Sequence, residues 1–410
     1  MRGVLGERLR LPAAVLAAVL VAELAVLVLW PRDGVIEPAP VSAPSYFSAS
    51  DIQQARDFRR PQLLLVTLTL VIEAGVLVAI VARPPRRLRD AKRPVLAAAA
   101  GGAGIAVALD VATLPVRAVL RERAIDVGLV TQSWSGWASD VALSAAIGAA
   151  IAAVGAAGVI ALMRRFPRRW WVPAAGVVVA YGVITIYLAP IVLDPRFNTF
   201  TDAPPEVRAE VLALAEKAGV DVGEVQVMDA SRRTTAANAY VAGLGSTKRV
   251  VLYDTLIEDF EPDEVRSVIA HELAHERYHD LRNGLLYLAI VAPFGMFAAA
   301  QLARRLAPDP DDDGRPRADA LPAVALSVVL VAAVIGVISN QLSRQVEARA
   351  DTFALTLTDE PEPFIRFKQR LAVQNVSDPD PPAVATFLWG THPPVLERIG
   401  AGVAYERGEK

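Results

Sequence analysis

Long apolar runs alternate with short charged ones through most of this chain, and that rhythm predicts its architecture. A helix needs about 20 mostly apolar residues to cross the hydrocarbon core of a bilayer. Seven runs meet that length, at 11–30, 62–81, 95–114, 141–163, 171–193, 285–302 and 321–340. Two are dense in Ala and Gly, at 97–104 and 145–158, which suits helices that approach closely in lipid. Trp30, Trp170 and Trp171 stand at run ends, where interfacial aromatics belong. The first run is long for a signal peptide, and Trp30-Pro31-Arg32 is a poor cleavage site, so it is expected to be an anchor. Glu23, Glu73 and Asp110 fall inside runs. An unpaired acid in lipid is costly, so these are expected to face water or pair with an arginine.

The stretch between the fifth and sixth runs has the texture of a small globular domain. Pro204-Pro205-Glu206 opens a helix that Gly219 stops. Segments 225–228 and 250–253 read as strands, with 238–242 a third. Glu261-Pro262-Asp263-Glu264 then opens a helix expected to run through His279, with Pro early and acids in the first turn. A second polar piece follows the last run and contains a Pro-rich loop at 378–382. The chain therefore divides into a membrane region with five spans (1–193), the first part of an α+β domain (194–284), spans six and seven (285–340) and the rest of that domain (341–410).

Composition agrees with a membrane protein. Of 410 residues, 53% are hydrophobic, and the mean hydropathy is +0.36, above what soluble domains carry. A net charge of −2 supplies no field for nucleic acid, and the absence of cysteine excludes disulfides and thiolate metal sites. Basic residues gather before the first run (Arg2, Arg8, Arg10) and after the second (Arg83 to Arg93), fourth (Arg164 to Arg169) and sixth (Arg304, Arg305). With seven crossings these loops share one face, which the positive-inside rule makes cytoplasmic. Segment 194–283 then lies outside, and the plasma membrane of a prokaryote is the expected location.

The chemistry rests on scarce residues. The chain has four histidines, His271, His275, His279 and His392. His271-Glu272-Leu273-Ala274-His275 places two imidazoles one helical turn apart on one face, able to converge on a single Zn²⁺, with Glu272 beside the metal as general base. Two ligands need a third. Glu347-Ala348-Arg349-Ala350-Asp351 again shares one face, so that Glu347 can ligate while Asp351 orients an imidazole from behind. Two His, one Glu and an open position make a catalytic set. Each half adjoins a span, so the metal is expected at the membrane boundary or within a cavity among the helices.

These motifs resemble the CAAX prenyl proteases of the type-one, gluzincin class. The resemblance is carried by Asn238-Ala239-Tyr240 with Gly243-Leu244-Gly245, by Lys248 to Leu256, by the two metal segments, and by Thr391-His392-Pro393-Pro394 with Arg398. It implies a mainly α, integral membrane fold in which about seven helices enclose a chamber, with the small peptidase domain at one membrane face. It also implies one Zn²⁺ per chain and a peptide or protein substrate lying extended near Asn238, Ala239 and Tyr240. His392 would lie near the metal as an oxyanion donor, and Arg398 would contact substrate or brace the site. Three positions depart from the family: Glu276-Arg277 replaces Trp-Lys, and Asp280 stands where a further histidine is common, leaving His279 as a surface residue. The basic loops also put the site outside the cytoplasm, opposite to the eukaryotic members. Two other readings stay open: a quality-control protease of the HtpX type, which a four-span architecture would favour, and a non-enzymatic membrane protein with a structural zinc.

Overall fold

The computed structural model describes residues 2–32, 34–243 and 247–409. The expected Leu244 and Gly245 lie outside the described residues. In chain order the helices are α1 (Arg2–Leu29), α2 (Ala49–Ala82), α3 (Arg86–Arg89), α4 (Pro94–Asp126), α5 (Trp134–Arg165), α6 (Trp171–Leu188) and α7 (Asp194–Phe197), then α8 (Pro205–Ala218), α9 (Asp254–Asp259), α10 (Pro262–Arg277) and α11 (Asp280–Leu306). They are followed by α12 (Leu321–Thr358), α13 (Pro361–Gln374), α14 (Ala383–Trp389) and α15 (Val395–Glu406). The strands are β1 (Phe200–Asp202), β2 (Glu224–Met228), β3 (Ala239–Ala242) and β4 (Arg249–Tyr253).

Among the described residues, seven helices are long and apolar enough to cross a membrane: α1, α2, α4, α5, α6 with its continuation to Phe197, α11, and α12 with the turn before it. The small-residue runs do what their composition suggests. A Cβ at Gly102 of α4 would sit 2.5 Å from the Ala152 carbonyl oxygen of α5, so only glycine allows that approach. Trp170 behaves differently from the expectation for a run-end aromatic. It is 2% exposed, packed against Ala174 and the small residues of neighbouring helices, because α6 opens toward the bundle there and not toward lipid. Of the intramembrane acids, Asp110 pairs with Arg117 at 3.1 Å and Glu23 accepts from Gln341 Nε2 at 3.4 Å, while Glu73 is half-buried on α2.

The basic loops meet on one face. Arg164 after α5 bonds Asp311 between α11 and α12 at 2.9 Å, Arg304 reaches the Arg168 carbonyl at 2.7 Å, and Arg89 lies 3.5 Å from Asp319. At the other end, the α4–α5 loop is stitched to the peptidase domain. Thr131 N–H donates to the Arg233 carbonyl (3.1 Å), and Arg233 in turn holds Asp140 of α5 through a pair of hydrogen bonds.

The domain is a four-stranded sheet in the order β1-β2-β4-β3, with β2 and β4 parallel and the outer pairs antiparallel. Its core joins Val225, Val250 and Leu252 to Ile269 and Leu273 of α10, Leu355 of α12, Phe364 of α13 and Ile399 of α15. Each such side chain contributes about 1.5–3 kcal/mol on burial. The loop between α1 and α2, grouped by sequence with the membrane region, also belongs to this core: Ile36, Ala39 and Phe47 are buried in it. Ile36 N–H donates to Thr352 Oγ1 (2.9 Å) and Ala39 N–H to the Gly400 carbonyl (3.0 Å).

Helix α10 stops at Arg277, two residues before the expected end. His279 adopts a left-handed conformation (φ 55°) that breaks α10 from α11. Helix α12 has no such break. Its 38 residues, about 57 Å at 1.5 Å each, run from the membrane through Glu347 and Asp351 into the domain core.

Candidate metal centre and substrate cleft

Helix α10 enters the domain behind a capping box. Glu261 and Glu264 bond reciprocally, and the fully buried Glu264 is held by Arg366 (3.2 Å) and Arg370 (2.5 Å) of α13. With its start fixed, α10 presents His271 and His275 toward α12. The two rings stand 5.1 Å apart and nearly perpendicular. Glu347 lies between them, Oε2 at 3.2 Å from His271 Nε2 and Oε1 at 3.6 Å from His275 Nε2.

Each imidazole turns its other nitrogen to a carboxylate. Asp351 Oδ1 is 3.0 Å from His271 Nδ1, and Asp280 Oδ2 is 3.0 Å from His275 Nδ1. A carboxylate at Nδ1 fixes the proton there and leaves the Nε2 lone pair free for a metal. Donors around a tetrahedral zinc with bonds of about 2.0–2.2 Å stand about 3.3–3.6 Å apart. The spacings of Glu347 from the two Nε2 atoms match that, so the residues fit a metal of this kind. Glu272 belongs to the same cluster, its ligand atoms within 4.8 Å of both imidazoles. Glu347 and Glu272 are thus the two glutamate carboxylates near the imidazoles, and both line the adjoining cavity.

Asp280, Arg349 and Lys368 complete the surroundings. The left-handed His279 folds the chain back so that Asp280 meets His275, and Arg349 Nη2 holds the other oxygen of Asp280 at 2.6 Å while its guanidinium lies over the Tyr278 ring. Asp351 is 1% exposed and receives three cationic or imidazole neighbours. Arg398 binds both its oxygens (2.6 and 2.7 Å), and Lys368 Nζ reaches Oδ1 at 2.9 Å. Arg398 thus braces Asp351 with two of its five N–H donors. Sequence reasoning met Asp280 only as a departure and missed Lys368. The charged Lys368 within the amphipathic α13 was the signal available.

Burial sets the protonation of this cluster. It holds the Glu272 carboxyl above its ordinary value, with His271 and His275 offsetting part of the effect. Burial alone would lower His275, but the Asp280 hydrogen bond and the carboxylates of Glu272 and Glu347 outweigh it and lift the metal-free imidazole to about 9. Burial, then the neighbouring Arg398, brings Lys368 down to about 8, against the pull of Asp351.

A cavity of about 550 Å³ opens beside the metal residues. Glu272, His275 and Glu347 line its floor, Tyr240 and Val241 one side, and apolar residues of α6 and α11 such as Ile186, Leu285 and Leu288 the membrane side. Strand β3 is the last strand on this side of the sheet. Tyr253 N–H donates to the Asn238 carbonyl (3.1 Å), and Ala239 pairs opposite Leu252. Since antiparallel pairs alternate between bonded and non-bonded, Ala239 and Val241 point their N–H and C=O groups out at the free edge. Asn238 itself uses its carbonyl inside the sheet, and the Ala239 side chain is buried in the core. His392 is half exposed on the loop before α15, with Nε2 3.3 Å from Glu347 Oε2 and Nδ1 3.0 Å from Thr391 Oγ1. His279 is exposed and points no ligand at the cluster.

Comparison with known proteins places this arrangement. Residues 203–404 match the model of Peptidase family M48, and residues 120–199 match that of the CAAX prenyl protease N-terminal region with five membrane helices. The chain belongs to the Ste24-like CAAX protease family. It is an integral membrane metalloprotease of the M48 group. The Uncharacterized metalloprotease YhfN of Bacillus subtilis is 29% identical over 292 residues, 70% of this chain and 68% of that protein. A CAAX prenyl protease 1 homolog of Oryza sativa is 30% identical over 55% of this chain and 54% of its own length. The chain thus spans about half the length of that plant relative. The crystal structure of S. mikatae Ste24p superposes with a TM-score of 0.72 over 97% of this chain and 99% of that one, at 18% identity. That likeness shows the fold: membrane helices that enclose a chamber, with a small sheet in the C-terminal domain.

Proposed function

We propose that this M48 protein is a zinc endopeptidase that cleaves an extended peptide laid along β3. The observation that carries the reading is the Glu347 carboxylate seated between two imidazole Nε2 atoms (3.2 and 3.6 Å), each imidazole backed by its own aspartate. His271, His275 and Glu347 would hold the ion, leaving a position open toward the cavity. Zinc held there would supply Lewis acidity, making a water more acidic and a peptide carbonyl more electrophilic.

The chain's own groups do the rest. Glu272, raised by burial, takes the proton of the attacking water and passes it to the departing amine nitrogen. The outward N–H and C=O groups of Ala239 and Val241 add the substrate as a further strand. His392 donates through Nε2 to the carbonyl oxygen as it becomes an oxyanion. Asp351 and Asp280 keep the imidazoles in the tautomer that ligates. The seven-helix architecture favours this over a four-span HtpX-type quality-control protease. A general base beside the ligand set, which a structural zinc has no use for, argues against a non-catalytic role.

The clustering of basic loops on the far face from the domain supports an extracytoplasmic site in a prokaryotic plasma membrane. Substrates would then be segments of membrane or exported proteins, reaching the cleft at the level of the apolar cavity wall. The test is Glu272→Gln in purified protein. Zinc stoichiometry should stay at one per chain while peptide turnover falls by about 10³-fold or more. Undiminished cleavage by that variant would overturn the mechanism, and loss of the metal would assign Glu272 to the ligand set.

A further inference from the structure

Helix α14 is short, and of the carbonyls at its C-terminal end only that of Thr386 is met from within, by the Gly390 N–H (2.9 Å). They are taken by side chains of α12. Arg344 Nη1 donates to the Thr386 carbonyl (3.1 Å) and the Gly390 carbonyl (2.7 Å), and Asn340 Nδ2 to the Leu388 carbonyl (3.0 Å). Two residues after Gly390 comes His392, whose Nε2 is 3.3 Å from Glu347 Oε2. Beyond it, Pro393-Pro394 leads into α15, where Arg398 grips Asp351.

The donors and acceptors on α12 follow one face. Positions 340, 344, 347 and 351 are spaced by four, three and four residues, so at about 100° per residue they fall within an arc of about 60°. One stripe of α12 therefore fixes the loop on both sides of His392 and carries the metal-facing Glu347 between the two anchor points. Nothing in the loop itself sets the imidazole: His392 is half exposed, and its local partner is the Thr391 hydroxyl.

We propose that Arg344, assisted by Asn340, is a positioning residue that holds His392 over the reaction centre. The proposal rests on the reading of His392 as the oxyanion donor. Arg344 touches no metal-facing group; its side chain lies in the wall of a separate cavity of about 330 Å³ with Glu37, Glu397 and Arg398. Its effect on turnover passes through the carbonyls it ties down. Catalysis is sensitive to such placement, since a shift of about 1 Å can cost about 10²-fold.

A double-mutant cycle decides it. His392→Ala should lower kcat by about 10²-fold and Arg344→Ala by about 10-fold, each with KM and zinc content near wild type. The double variant should be no slower than His392→Ala alone, because the clamp has nothing left to place. Affinity for a phosphonamidate peptide, whose tetrahedral phosphorus mimics the oxyanion, should fall in parallel in all three. Affinity for an uncleaved peptide, measured in the Glu272→Gln background, should not. Should Arg344→Ala fail to fold, Arg344→Lys, which keeps the charge but can reach fewer carbonyls, should show a smaller loss of the same kind. A silent His392→Ala would remove the oxyanion reading and the clamp with it. An impaired His392→Ala beside a silent Arg344 variant, or losses that multiply in the double variant, would overturn the clamp alone.

Discussion

The membrane helices fall into two groups that differ in how they are packed. In the most apolar stretches of α11 and α12, 44% and 39% of residues are buried inside the molecule. In α2, α4, α5 and α6 the shares are 6%, 11%, 17% and 6%. The first pair is gripped by α1 and continues into the peptidase domain, where it delivers Asp280, Glu347 and Asp351. The second group forms the more exposed wall, as helices around a chamber must. Rigidity is concentrated where ligands must be held to fractions of an ångström. The wall needs only to exclude lipid and admit a peptide.

The contrast predicts where substitutions bite. The largest effect is expected at Asp351→Asn, which leaves Arg398 and Lys368 facing a neutral amide in a site 1% exposed. Breaking such a buried pair costs about 3–5 kcal/mol, and loss of the carboxylate behind His271 should weaken zinc by about 10–100-fold. Metal titration together with thermal unfolding in detergent reads both; a variant that kept zinc and Tm would show the network to be ornamental. Next, Leu355→Ala, in the fully buried part of α12, should cost about 2–5 kcal/mol. Val154→Ala on the wall, where Val154 is 75% exposed, should stay within about 0.5 kcal/mol. Equal losses at the two positions would erase the distinction between the groups.

The smallest effect is a pH slope. Lys368 is held at about 8 in the folded chain against an ordinary 10.5. Between those values the unfolded chain binds a proton that the folded chain lacks, so Lys368 contributes stability that grows with pH across that window. Wild-type Tm measured against Lys368→Met should therefore improve from pH 8 to pH 10.5, and a flat difference would refute the assignment.

What could be read from the sequence followed from local spacing. The spans were legible as runs, the two imidazoles as a one-turn pair, and Glu347 with Asp351 as a second such pair, because a helix converts spacing into a shared face. The family signature placed His392 near the centre. Asp280 was legible only as a deviation, since its approach to His275 depends on the left-handed turn at His279, and a non-glycine residue there gives no warning. Lys368 and Arg344 act across packed helices, through contacts that no local pattern encodes. The membership of Ile36 and Phe47 in the domain core was hidden for the same reason, and β1 was too short to register.

The unbroken α12 has a mechanical consequence. His271 and His275 sit on a helix uncoupled from its membrane segment by the bend at His279, whereas Glu347 rides on a rod anchored in the bilayer. Taken from mid-membrane near Val331, Glu347 is about 24 Å along the axis. A tilt of about 5° would sweep it sideways by about 2 Å, the length of a metal–ligand bond. The strap from the first loop pins the far end of that lever through Ile36 on Thr352, and Ala39 on Gly400 ties the same strap to α15.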